Sequence, residues 1–227
     1  TRESLFNLLD DHLAAEVLAE SDAATAVAIA EDLGPRELSD LVEEMAPDDA
    51  ADVLSELEDE EAEKVLDLME VEEAQEVQEL MAHEEDTGGG IMTPELVLAQ
   101  ENTTVSEVIE TLRREAEETD IAELYVVDEK DRLVGEVPLH RLVTARPGST
   151  MADLMFRDLI TVTPETDQEE IARLFTRYDL LALPVVDADG TLVGQITVDD
   201  VLDVIHEEAT EDIYKMAGTS DQEIVHP

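Results

Sequence analysis

The residues with the greatest capacity for chemistry lie near the carboxyl end, where Asp199, Asp200, Asp203, Glu207, Glu208, Glu211 and Asp212 fall within fourteen positions. Carboxylates gathered without cysteine, and without histidines at a zinc-like spacing, suit a hard cation such as Mg2+, which keeps several waters and needs few protein oxygens. Glu208, Glu211 and Asp212 share one helical face by spacing alone, and Asp200, Asp203, Glu207 and Glu211 form a stripe beside it if the helix is continuous. Like charges one turn apart cost about 0.2–0.5 kcal/mol per pair, so a compensating charge is expected. Asp48 and Asp52 form a further pair, four residues apart. No nucleophile is paired with a base and no metal-hydrolase motif occurs, which points to a binding protein and not an enzyme.

The whole chain shares this acidity. Its 227 residues carry 61 Asp and Glu against 13 Lys and Arg, a formal net charge of -48. Such a surface lacks the cations that a phosphate backbone or anionic lipid headgroups require, so nucleic acid and membrane-surface docking are both disfavoured. Hydrophobic residues still make up 43% and recur periodically, so the chain should fold. Lysine is confined to Lys64, Lys130 and Lys215. Lysine depletion with excess carboxylate suits a salt-rich cytoplasm that screens self-repulsion, and halophilic adaptation therefore competes as an explanation for every acidic cluster. The absence of cysteine removes disulfides and thiolate chemistry, and His12, His83, His140, His206 and His226 are scattered. With no apolar run of about 18 residues and no signal peptide, a soluble cytoplasmic chain is expected.

Two kinds of element must position these acids. Residues 14–81 repeat with a period of twelve: positions 17, 29, 41, 53, 65 and 77 read Val, Ile, Leu, Val, Val, Val. Apolar residues at i, i+3, i+4 and i+7, as in Ala50, Val53, Leu54 and Leu57, mark one face of a short helix, and such helices must stack to bury it. Gly34-Pro35 and Ala46-Pro47-Asp48 mark breaks between units. The run Asp86-Thr87-Gly88-Gly89-Gly90 should close the array as a flexible, hinge-like linker. Thereafter the chain repeats itself. Met92-Thr93-Pro94 and Met155-Phe156-Arg157 open two copies; each continues with a capped helix, from about Thr104 and from about Asp167, then a strand, a turn, a strand and a closing helix. The turns are Asp128-Glu129-Lys130-Asp131 and Asp187-Ala188-Asp189-Gly190.

A β-α-β-β-α unit in tandem resembles the CBS domain pair, with Val186-Asp187 through Gly194-Gln195-Ile196-Thr197-Val198-Asp199-Asp200 carrying its second-half signature. Together with the helical repeat, the glycine run and Glu208-Ala209-Thr210-Glu211-Asp212-Ile213, the chain is similar to the cytosolic region of MgtE-type magnesium channels. The resemblance implies a multi-domain α plus α/β protein: an all-α superhelical domain over 1–86, CBS repeats over 87–150 and 151–206, and over 207–227 the start of a helix leading to a membrane pore absent from this sequence. It implies a homodimer formed through the CBS domains at the cytoplasmic face of the membrane. Feedback is the implied mechanism: several Mg2+ ions bridge the helical domain, the CBS pair and the connecting helix to close the pore. The positions it assigns to metal are Glu16, Asp48, Asp52, the carbonyl of Gly90, Glu169, Asp179, Asp200, Asp203, Glu208, Glu211 and Asp212.

One departure concerns nucleotide. CBS pairs often bind adenine nucleotides through a Thr or Ser and an Asp after the last strand. The second repeat has Thr197 and Asp200, whereas the first has Pro138 and Arg141. Proline offers no hydroxyl and arginine cannot accept a bond from a ribose, which argues against ATP there, although Arg141 can meet a phosphate. Two alternatives to a Mg2+ sensor remain open: an adenine-nucleotide-sensing CBS module whose acidity is only halophilic, and a dimerisation module without ligand.

Overall fold

The computed structural model describes residues 6, 9–115 and 123–217; for Glu31, Glu115, 207–209 and 211–217 it describes the backbone alone. The chain divides into two compact units, Thr1–Glu85 with Thr93–Glu95, and Asp86–Met92 with Leu96–Pro227.

The first unit is helical. Helices α1 (Asp11–Ala19), α2 (Ala23–Leu33), α3 (Pro35–Val42), α4 (Pro47–Ser55), α5 (Asp59–Leu66) and α6 (Val71–Leu80) begin at steps of twelve residues, the period seen in the sequence. Their starts are chemically marked. Asp10 and Asp22 cap α1 and α2 by accepting from the N–H of Leu13 and Thr25, and proline stands in the first turn of α3 and α4. Each helix is too short to persist alone, so alternate helices pack together, α1 on α3, α3 on α5 and α4 on α6. The seventh position of the repeat is buried at Leu41, Val53, Val65 and Val77. In α1 the buried place passes to the adjacent residue, Leu18, and Val17 is 39% exposed.

The second unit holds the duplicated α/β part. In the first copy β1 (Val97–Gln100) runs parallel to β2 (Leu124–Val127), which pairs antiparallel with β3 (Leu133–Val137). Helix α7 (Val105–Glu115) connects β1 to the segment before β2, and α8 (Leu139–Thr144) closes the copy. A register shift between Val126 and Val127 pairs Val127 with Leu133. Alternation then sends Leu124, Val126 and Val137 into one core with Val105, Val108 and Leu142, and sends Tyr125 and Val127 into another with Leu192.

The second copy, after the short helix α9 (Met151–Leu154), comprises α10 (Gln168–Tyr178), the hairpin β4 (Ala182–Val186) with β5 (Leu192–Thr197), and α11 (Val198–Ala217). Its opening strand is reduced to a parallel bridge of Val162 to Val185, because Pro164, two residues on, has no N–H to extend the ladder. The hairpin turns of the two copies bond to each other: Leu133 donates to the Gly190 carbonyl and Leu192 to that of Asp131, each at 3.1 Å.

The glycine run differs from expectation. Gly88 and Gly89 are buried, and they donate to the carbonyls of Thr166 (2.7 Å) and Pro164 (2.8 Å), beside a bridge of Thr87 to Asp167. A linker of free backbone was expected; the missing Cβ atoms instead let this backbone lie against the second CBS copy.

Candidate metal-binding and nucleotide-type sites

In the helical unit, Asp48 occupies the first turn of α4, where an acid complements the helix dipole, and is half-buried; Asp52, one turn on, is exposed. Glu16 lies in α1, exposed, with an oxygen 3.8 Å from His12 Nε2. A crowd that spacing did not reveal lies nearby in the same unit. Glu43, at the end of α3, accepts from the Glu70 N–H at 2.6 Å, so residues 27 apart in sequence meet. Burial first, then the charges of Glu43, Glu70, Glu76 and Glu44, raise the Glu73 carboxyl above its ordinary range. The available sequence signal was only that Glu43 and Glu70 lie in alternate units of the repeat.

In the CBS unit, Thr197 ends β5 and α11 begins at Val198, which places Asp200 in the first helical turn. The Thr197 hydroxyl donates to Asp200 Oδ2 at 2.5 Å, joining the two residues expected to meet a ribose. Asp203 follows one turn later and is exposed. Glu208, Glu211 and Asp212 lie on the backbone of the same continuous helix; their side chains fall outside the described residues. Glu169, in the first turn of α10, is ion-paired with Arg173 one turn on. Asp179 caps the other end of that helix in the left-handed region, at φ 53°, a place more often held by glycine, and is exposed. The Gly90 N–H donates to Thr87, 2.9 Å away.

The first copy has a different corner. Pro138 precedes α8 without a side-chain cap, and Arg141 donates to the Leu154 carbonyl at 2.5 Å with its guanidinium 4.2 Å from the centre of the Phe156 ring. A separate cleft of about 330 Å³ beside β1 has Gln100, Thr103, Thr111 and Asp131 as its polar lining. Among the described residues no three of His, Cys, Asp or Glu are grouped so as to hold a metal ion. Among the described residues, the expected acids of each unit therefore come as singles and pairs.

Comparison with known proteins gives these two units a family. The profile described as the MgtE intracellular N domain matches residues 1–86, and the CBS domain profile matches twice, at 88–148 and 151–207. The chain belongs to the CBS-domain family, in its MgtE arrangement. The magnesium transporter MgtE of Thermus thermophilus is 49% identical over 145 residues, 63% of this chain and 32% of that protein. That of Enterococcus faecalis is 38% identical over 143 residues, with the same 63% and 32%. The chain thus spans about a third of the curated MgtE relatives it matches. Among solved structures, the cytosolic domain of the Mg2+ channel MgtE in complex with ATP is similar at a TM-score of 0.86 and 42% identity, over 89% of this chain and 84% of that one. The soluble part of a magnesium transporter is similar at 0.83 and 34%, over 92% and 82%. In this chain a helical N domain precedes the CBS pair. No helix among the described residues is long and apolar enough to cross a membrane.

Proposed function

We propose that this chain is the Mg2+-sensing regulatory part of a longer MgtE-type polypeptide and acts at the cytoplasmic face of the membrane on that polypeptide's pore. The observation carrying this is the MgtE N domain joined to a CBS pair, similar over 89% of its length to the cytosolic domain of a Mg2+ channel. Hydrated Mg2+ is held between acids of the helical unit, Glu16, Asp48 and Asp52, and acids of the CBS part and connecting helix. Those are Glu169, Asp179, Asp200, Asp203, Glu208, Glu211 and Asp212, with the Gly90 carbonyl beside them. Abundant Mg2+ draws the surfaces together and favours closure; scarce Mg2+ leaves them to repel, at a formal net charge of -48. Glu169 reaches the ion only by exchanging Arg173, because one carboxylate already neutralised attracts a cation weakly. The domain limits we propose are 1–86, 87–150, 151–206 and 207–227.

A homodimer through the CBS part belongs to the same proposal. Val143 and Leu202 are the sixth residue after Val137 and Ile196 in their respective copies, follow the buried Leu142 and Val201, and are 78% and 51% exposed. Two apolar side chains at corresponding exposed places suit the matching face of a second copy.

Small-angle scattering at fixed ionic strength tests the closure. Millimolar Mg2+ should reduce the radius of gyration, since a ligand shifts a two-state equilibrium only through differential binding. Superimposable curves with and without Mg2+ overturn it. The preformed bond of Thr197 to Asp200 favours a second reading, in which the second repeat also takes an adenine nucleotide; calorimetric heat with ATP that disappears in Asp200→Ala supports it, and no heat removes it.

A further inference from the structure

Tyr125 is completely buried, yet among the described residues its hydroxyl has no hydrogen-bond partner. A buried phenol ordinarily finds one. The register explains its surroundings: Tyr125 stands directly opposite Glu136 in the antiparallel pair of β2 and β3, so their side chains share a face. Glu123, two residues before Tyr125, falls on that face as well, diagonal to Glu136. One of its carboxylate oxygens, Oε2, is buried and also lacks a partner among the described residues.

Three oxygen-bearing groups thus lie along one face of the first copy, where no described residue neutralises them. Burial and then Glu136 raise the Glu123 carboxyl, burial raises that of Glu136, and burial, Glu123 and Glu136 together raise the phenol. The arginines around this sheet are engaged elsewhere: Arg141 by the Leu154 carbonyl and the Phe156 ring, Arg157 by Glu101, and Arg132 by Asp128.

We propose that Glu123, Glu136 and the Tyr125 phenol oxygen form a divalent-cation site in the first CBS copy, filled by hydrated Mg2+ and distinct from the bridging acids. The donor set is two carboxylates and a neutral oxygen, all hard, and Mg2+ binds proteins with one or two carboxylates while retaining waters. Both glutamates are partly exposed, which gives water and ion a route in, while Tyr125 is fully buried. A cation here removes the repulsion of Glu123 and Glu136 and satisfies the oxygens that burial has stripped of water. All three residues belong to the first CBS copy, so the site does not depend on closure of the helical unit.

The chain contains no tryptophan, and with Tyr178→Phe and Tyr214→Phe the full chain retains Tyr125 as its sole tyrosine fluorophore. Titration with MgCl2, KCl holding ionic strength constant, should give a saturable change in Tyr125 emission that is lost in Glu123→Gln and in Glu136→Gln. Metal binding displaces protons, so the pH midpoint of the Tyr125 signal should also move down when Mg2+ is present. A signal indifferent to Mg2+, with one pH midpoint in its presence and absence, means that the glutamates hold a proton and no metal, and overturns the site. So does a Mg2+ response that survives both amide variants. If either variant fails to fold by circular dichroism, the midpoint shift in the parent decides. A Tyr125 response alongside unchanged scattering supports this site while overturning closure, which keeps the two failures apart.

Discussion

Gly88 lies so close to Thr163 that a Cβ added to it would stand 2.9 Å from the Thr163 carbonyl oxygen. Another 3.2 Å contact would fall on Ile171 Cδ1. Backbone cannot yield as a flexible side chain does, so Gly88→Ala should destabilise the CBS unit by about 1–3 kcal/mol in denaturant titration. Gly34 has open space but φ 77°, and alanine there should cost about 1 kcal/mol through backbone strain alone. Gly148→Ala, with open space and ordinary φ, serves as the control and should be neutral or stabilising by about 0.4–1 kcal/mol. Equal effects at Gly88 and Gly148 would refute the close packing.

Glu73 should make the helical unit less stable as pH rises. Its carboxyl is raised in the folded state by burial and then by neighbouring glutamates, so the fold binds the protonated form better than the unfolded chain does. That contribution is full below the unfolded carboxylate range and is lost as pH climbs through the raised value. Glu73→Gln should therefore raise the melting temperature at pH 7 and change it little at pH 4. A variant that melts with the parent at both pH values rules the effect out.

Asp128 should behave oppositely. The Arg132 side chain first, then the Lys130 N–H, hold its carboxyl down to about 2. A depressed pKa contributes stability above the unfolded value, and that contribution disappears as pH falls from about 4 through about 2. Asp128→Asn should flatten the acid limb of the stability profile, and a carbon-detected titration of Asp128 should show a midpoint near the lower figure. A midpoint near 4 would mean that the turn does not hold the ion pair in solution.

Mg2+ linkage separates specific binding from screening. Monovalent salt relieves repulsion at any acidic surface, so if acidity is only halophilic, added KCl replaces Mg2+ fully. At high KCl the parent should still gain melting temperature from millimolar Mg2+, by mass action, and Asp48→Asn with Asp52→Asn should reduce the gain. An undiminished gain in the double variant returns both residues to ordinary solvated surface.

Much of this architecture is local chemistry and is legible in the sequence. The twelve-residue step of helix starts from Asp11 to Val71 follows apolar spacing and proline or acidic starts, and the turns at 128–131 and 187–190 follow Asx and glycine chemistry. Thr104 and Asp167 mark the starts of α7 and α10 because a cap acts over three residues. The bond of Thr197 to Asp200 likewise spans one turn. Other relationships join distant residues and leave no local trace. Glu43 meets Glu70 only after alternate helices stack, and Gly88 looks like linker until Thr163 and Thr166 are folded beside it. Tyr125 reads as an ordinary strand residue; strand register and the shift at Val126 decide that it faces Glu136. Periodicity specifies which face of an element is apolar, because that depends on neighbours along the chain. Which charge lies against which, and which buried oxygen lacks a partner, depends on pairing between elements, and that pairing exists only in the tertiary structure.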